Sequence, residues 1–335
     1  MKAIQYGVIA LMVIVLAACG NSNGASPASS PMPAAESPAS SSQDTNSQAE
    51  EKKDHGEVEK LMQQFGTKKP EKIVTLSVSI TEILHEIGVV PAGVPKSSSK
   101  LPEAFEHVPR IGSSHQPDLE QIAKLQPDII VGPMSIKDSI EKKLKPASIP
   151  TAYLPADSLE QLKLSTTVLG RVFGHENKAE AYLEKIHREE QAILASVKGK
   201  PAPKIMILFG SAESLMLMND NTFAGSIARN LGATNVLSEF MKKAEDYVPI
   251  NMESVIAANP DVIVLVAHGD PDAIAKKFED DVKKNGAWEK MNAFKNGKMK
   301  ALDPQLYGIA SIVKAPAAYK DMAHILFDKL GVSAA

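Results

Sequence analysis

Two stretches, PDLEQIAKLQPDIIVGP from Pro117 to Pro133 and INMESVIAANPDVIVLVA from Ile250 to Ala267, lie over one another without a gap. Glu120 falls on Glu253, Pro127 on Pro260 and Asp128 on Asp261, and the apolar IIV of the first meets the VIV of the second. In both, a helical pattern gives way across a Pro-Asp pair to an apolar run of strand length. This predicts a short helix feeding a buried strand, used twice.

The same alternation continues outward from the pair. KIVTLSVSITEILHEIG (72–88) and PKIMILFGSAES (203–214) each set an apolar run before a helical pattern or a turn. Such β/α alternation predicts an α/β chain with two parallel-sheet, Rossmann-like lobes, over residues 71–172 and 201–335. Residues 173–200 join them, and the helical spacing of apolar residues predicts one long helix from Glu176 to Val197.

The N-terminus reads differently. Lys2 precedes an uninterrupted apolar segment from Val8 to Ala18 and then LAAC at Leu16 to Cys19, too short to span a bilayer and shaped like a secretory signal. The small residues before Cys19 resemble a bacterial lipobox, which implies a signal peptide over residues 1–18 and lipidation of Cys19. Residues 20 to about 57 are rich in Ser, Ala, Pro, Asn and Gln and lack the apolar side chains needed to offset chain entropy, so a flexible tether is expected over residues 19–70, with His55 solvated. Cys19 is the only cysteine, so an internal disulfide and a thiolate metal cluster are both excluded. The net charge is −3 with both signs interspersed and the aromatic content is 5%, which argues against a nucleic-acid surface. A GxSxG elbow, an HExxH helix and a Walker loop are absent, FGSAES failing the first pattern, so the chain is expected not to be an enzyme.

Ligands of open parallel sheets bind beyond the carboxyl ends of the strands. His268 lies one residue past such an end, in NPDVIVLVAHGDPD, and His115 lies in IGSSHQPDLE just before the helix of the first repeat. Each lobe thus offers one imidazole from a loop at its edge. His85, His175, His187 and His324 fall in helical patterns, and His107 in a polar loop. Zinc or manganese held by protein groups alone needs about four or more ligands, which two histidines do not supply. A heme brings its own equatorial nitrogens and needs only two axial ligands, yet turn histidines also bond to backbone, and residue chemistry alone leaves both readings open.

AHGDPDAIAKKFEDDVKKNGAWEKMNAFKNGKMKALDPQLYGIASIVKAPAA, together with VPRIGSSHQPDLE and GVPKSSSKLPEAFEHVP, resembles the IsdE-type heme-binding lipoproteins that feed ABC permeases in Gram-positive bacteria. The wider resemblance is to siderophore- and cobalamin-binding proteins with a rigid helix between two lobes, the class III periplasmic-binding-protein-like architecture. It implies non-covalent heme b in the inter-lobe cleft and a place on the outer face of the cytoplasmic membrane. The implied partners are a permease with its ATPase and cell-surface heme donors. The runner-up ligand is a ferric siderophore or cobalamin.

The histidine of HG-P is an axial ligand in that family and carries over to His268. The family's second ligand, a methionine between IG and P, is replaced here by His115. The resemblance therefore implies a bis-histidine site, with Met134 at the end of the first repeat's strand as the alternative sixth ligand. Tyr307 is expected to pack or hydrogen-bond at the porphyrin edge, and Ser77, Ser79 and Thr81 at a helix start to face the propionates; serines there also serve as plain caps. Glu120 and Glu253 match the glutamates with which related proteins meet arginine pockets on the permease.

Overall fold

The computed structural model describes residues 55–328 except 98, 212–213, 241 and 243–244. The signal peptide, Cys19 and the tether up to residue 54 lie outside the described residues. In the N-terminal lobe, β1 (Ile73–Thr75), β2 (Ile129–Pro133) and β3 (Thr151–Leu154) form a parallel sheet in that order. Parallel bridges Val74–Gly93 and Val94–Arg110 extend it beyond β1. Its helices are α1 (55–62), α2 (Val78–Glu86), α3 (Leu119–Leu125), α4 (Lys137–Leu144) and α5 (Leu159–Val172).

Helix α6 spans Glu176–Val197, the residues expected from the pattern, and leads into the C-terminal lobe. There follow β4 (Lys204–Gly210), β5 (Leu215–Met218), α7 (Phe223–Asn230), β6 (Thr234–Asn235), β7 (Tyr247–Pro249), α8 (Met252–Ala258), β8 (Val262–Ala267) and α9 (Pro271–Lys284). The lobe closes with α10 (Asn292–Lys295), β9 (Met299–Ala301), α11 (Pro304–Tyr307) and α12 (Ala315–Phe327). The sheet runs β7-β5-β4-β8-β9, with β6 beside β4. It is not parallel throughout: β5 is antiparallel to β4, because the turn joining them, closed by Ser211 N–H to Ser214 O at 2.9 Å, is too short for a crossover.

The internal repeat is structural as well as textual. Asp118 and Asn251, at matching places, cap α3 and α8 by accepting backbone N–H bonds. Gln126 and Asn259, also matched, end those helices in the left-handed region at φ 49° and 46°. The Asp128 carboxylate then accepts from the Glu71 and Lys72 N–H groups at 2.7 and 2.8 Å, and Asp261 from Lys204 N–H at 2.9 Å. In each lobe the repeat's strand is tied to the start of its parallel neighbour, β1 or β4.

The expected tether ends earlier than residue 70. Residues 55–62 are helical, and Val58, Leu61 and Phe65 are buried in the main core with Met62 against them. That spacing forms an apolar stripe, so the segment is amphipathic despite its charges. Gln64 completes the join by bonding both the N–H and the C=O of Tyr153 on the edge strand β3, at 2.9 and 3.0 Å.

Alternate residues of the central strands feed different cores, as expected for sheets covered on both faces. Ile129, Val131, Ile205, Ile207, Val262 and Val264 enter one cluster that runs without a break from lobe to lobe through Leu159, Leu169 and Ile186. Ile130 packs into an outer cluster of the N lobe, and Met206, Leu208, Ile263 and Leu265 into one of the C lobe. Polar bonds also cross between lobes. Leu159 N–H donates to Ser226 Oγ at 3.1 Å, Asn230 donates to Glu160 at 2.6 Å, and the Ser311 hydroxyl donates to Glu82 at 2.6 Å. Burial pushes the Glu82 carboxyl up to about 7, against the Ser311 hydrogen bond and the Lys314 charge; Glu86 adds to the rise.

Candidate functional site

His268 sits where the repeat pattern leads the chain out of the C-lobe sheet. The ladder of β4 and β8 extends one bond past the strands, from His268 N–H to Gly210 O at 2.9 Å. Gly269 then takes φ 103°, a value that favours glycine, and Asp270 caps α9 by accepting from Ala273 N–H at 3.1 Å. The imidazole is exposed and lies tilted by 31° over the Phe209 ring, centroids 5.7 Å apart. Phe209 meets Tyr247 edge to face at 5.3 Å. Tyr247, Phe209 and His268 therefore make a row of rings across β7, β4 and the end of β8.

His115 occupies the matching edge of the N lobe. Ser113 and Gln116 exchange backbone bonds at 3.1 Å in both directions, which places His115 in a tight turn just after the parallel segment at 110–112. Its side chain is exposed, and Lys143 Nζ donates to its carbonyl at 2.8 Å. The strain-free turn needs Gly112 at φ 84°, since a Cβ there would stand 2.5 Å from Gln116 O. Among the described residues no ring nitrogen of His115 or His268 has a hydrogen-bond partner. By contrast, the Nδ1 atoms of His175 and His324 are bonded to Ile87 O and the Asp328 carboxylate. No group of three or more His, Cys, Asp or Glu side chains poised to hold a bare metal ion occurs among the described residues.

The edge that brings the lobes face to face is marked by Asp157, just past β3. Burial raises its carboxyl above the usual range, the Ser135 hydroxyl bonded at 2.9 Å lowers it, and Asp246 of the C lobe raises it. Burial raises the Tyr247 phenol, and the Asp157 and Asp246 charges add to the rise, so the end of β3 lies near β7. Counting strands from that edge, β2 and its Met134 stand second, and segment 110–112 with His115 stands fifth. In the C lobe β8 with His268 stands fourth. Met134 is 39% exposed, beside Ser135 on the same rim.

Tyr307 is 4% exposed and donates its hydroxyl to Ala318 O at 2.6 Å, with its ring beside Phe223, so it braces α11 on α12. Ser77 is the cap of α2, accepting from Ile80 N–H; Thr81 donates to Ser77 O; Ser79 donates to Ala310 O across the lobe junction. Glu120 and Glu253 are exposed in the first turns of α3 and α8, equivalent places on the two lobes.

Phe209, Tyr247 and Asp157 were not singled out by sequence reasoning. An aromatic next to the end of a buried strand was the available signal for Phe209. Tyr247 sits in a three-residue edge strand that carries no pattern of its own.

A family model of periplasmic binding proteins matches residues 73–306. The high-affinity heme uptake system protein IsdE of Staphylococcus aureus (strain Newman) is 29% identical over 257 residues, 76% of this chain and 87% of the relative. An ABC transporter substrate-binding protein from Listeria monocytogenes EGD-e has the same fold at a TM-score of 0.72 and 30% identity, covering 78% of this chain and all of that one. S. aureus IsdE complexed with heme gives 0.71 and 28%, covering 77% and 99%. With two α/β lobes on one long helix and a match across most of its length, the chain belongs to the periplasmic binding protein family, in its class III fold.

Proposed function

We propose that this protein is the heme-binding component of an ABC importer, tethered by a lipid on Cys19 to the outer face of the cytoplasmic membrane. It takes one heme b between its lobes and passes it to the permease. The observation that carries this reading is the pair His115 and His268. They lie past parallel strand ends of the two lobes, exposed, with their ring nitrogens unbonded among the described residues. Likeness to a protein named for heme uptake supports it.

Heme supplies four equatorial nitrogens, so two imidazoles complete an octahedral iron, and the Phe209 and Tyr247 rings offer an apolar face to the macrocycle. Two nitrogen ligands favour low-spin ferric iron. Protons compete with iron for imidazole, so acidification works toward release. An anionic siderophore calls for cations in the cleft. Three of the four arginines, Arg171, Arg188 and Arg229, are already paired with Glu59, Glu184 and Glu160, which weighs against that ligand. Glu120 and Glu253, one on each lobe, are the proposed docking points for the permease.

Hemin titration of the purified protein tests the reading. The expected result is saturation at one equivalent with a low-spin Soret band, lost in His268→Ala. His115→Ala is expected to leave the iron high-spin, whereas Met134→Ala keeps it low-spin. The reverse pattern would make Met134 the sixth ligand. No Soret change at all, with saturable quenching of Trp288 by a ferric siderophore, would replace heme with the runner-up.

A further inference from the structure

We infer that Phe209 is a positioning residue that holds the His268 imidazole in one orientation, so that the C-lobe ligand is aligned by ring packing and not by a hydrogen bond. This rests on the heme reading for its consequence, but its geometry stands in the protein alone. A ligating histidine usually has its second ring nitrogen fixed by a carboxylate or a carbonyl, which sets both ring angle and basicity. His268 has neither among the described residues. Its backbone is fixed on one side by the bond to Gly210 O, and on the other Gly269 at φ 103° adds no side-chain packing. An exposed imidazole in that setting rotates about its side-chain bonds unless something covers a face.

Phe209 covers it. The residue precedes the last position of β4, is paired in register with Val266 of β8, and so lies on the same sheet face as His268 two residues further on. Its own ring does not swing freely, because it packs against the core that links the lobes and abuts Tyr247 at 71°. The tilted contact, 31° between the rings, covers one face of the imidazole and engages neither of its nitrogens in a hydrogen bond. Two functional consequences follow. The ligand is pre-aligned before heme arrives. It also lacks the charged support that strengthens a histidine–iron bond, which suits a protein that must give its cargo up.

Phe209→Leu keeps an apolar side chain and removes the ring face; Phe209→Tyr keeps the ring. Proton NMR of the heme-free protein tests the inference without any ligand. In the natural protein the His268 ring protons, assigned through His268→Gln, should be displaced upfield relative to those of exposed His107, and Phe209→Leu should abolish the displacement while Phe209→Tyr retains it. In the ferric heme complex, low-temperature electron paramagnetic resonance should show one low-spin species for the natural protein and Phe209→Tyr, and several for Phe209→Leu. Heme loss from Phe209→Leu should be roughly three- to tenfold faster, the worth of one aromatic pair. Ring protons of His268 at the positions of an unstacked histidine in the natural protein would overturn the inference, as would an unchanged resonance spectrum in Phe209→Leu. Failure of all variants to bind heme, with the ring displacement present, would overturn the heme reading and leave the stack intact. Should Phe209→Leu fail to fold, the ring displacement in the natural protein still decides.

Discussion

Replacing Glu82 by glutamine should make the protein more stable at pH 8 and less stable, by up to about 1 kcal/mol, at pH 4.5. Glu82 is 4% exposed on α2, its carboxylate held by the Ser311 hydroxyl at 2.6 Å across the lobe junction. Burial moves its titration from 4.5 to about 7. The folded state thus holds the proton more tightly than the unfolded state. Below pH 4.5 both states are protonated and no penalty exists. As pH rises from 4.5 to 7 the unfolded chain ionises first, stability falls, and above 7 the loss is constant. At about 1.36 kcal/mol per pH unit this amounts to about 3 kcal/mol. Glutamine keeps the volume and the acceptor for Ser311 but never ionises. Its amide N–H groups need partners in a site shaped for an acceptor, which offsets about 1 kcal/mol of the gain. The net expectation is a gain of about 2 kcal/mol at pH 8. Urea unfolding of both proteins at steps from pH 4.5 to 8 measures the difference, in which every other carboxylate cancels. A stability difference independent of pH over that interval would refute the buried, proton-holding carboxyl.

Gly112→Ala should cost about 1–3 kcal/mol, because φ 84° strains any L side chain and the new Cβ meets the Gln116 carbonyl. Thermal unfolding reads the cost, and a hemin titration should show the His115 turn disturbed; a natural melting temperature and spectrum would contradict both. Alanine at both Glu120 and Glu253 should leave stability within about 0.5 kcal/mol, since the Glu120–Lys124 pair at 3.1 Å is fully on the surface. The same double variant should bind hemin normally and fail to support heme uptake in cells, and normal uptake would remove the docking role.

Features written in local code were legible in advance. The doubled helix-strand unit could be read because each half carries its own cap, left-handed terminus and Pro-Asp step, and α6 because its apolar period runs unbroken. His268 stood out by lying one residue past an apolar run. The entry of residues 55–62 into the core was written in Val58, Leu61, Met62 and Phe65, but the surrounding charges masked a stripe that only its packing partner, β3, makes meaningful.

What the amino-acid order determined by itself was the set of elements and the two strand ends that carry the histidines, since caps, turns and periodicity act between residues a few positions apart. Which residues share the cleft was decided only in three dimensions. No local pattern joins Phe209 and Tyr247 to His268; they become one row because β7, β5, β4 and β8 lie in that order in one sheet. His115 stands beyond β1 because two further parallel segments extend the N-lobe sheet there, and the Tyr307 hydroxyl is taken up by a buried carbonyl of α12. Pairing and burial of this kind depend on contacts between distant parts of the chain, whose energies no local pattern records.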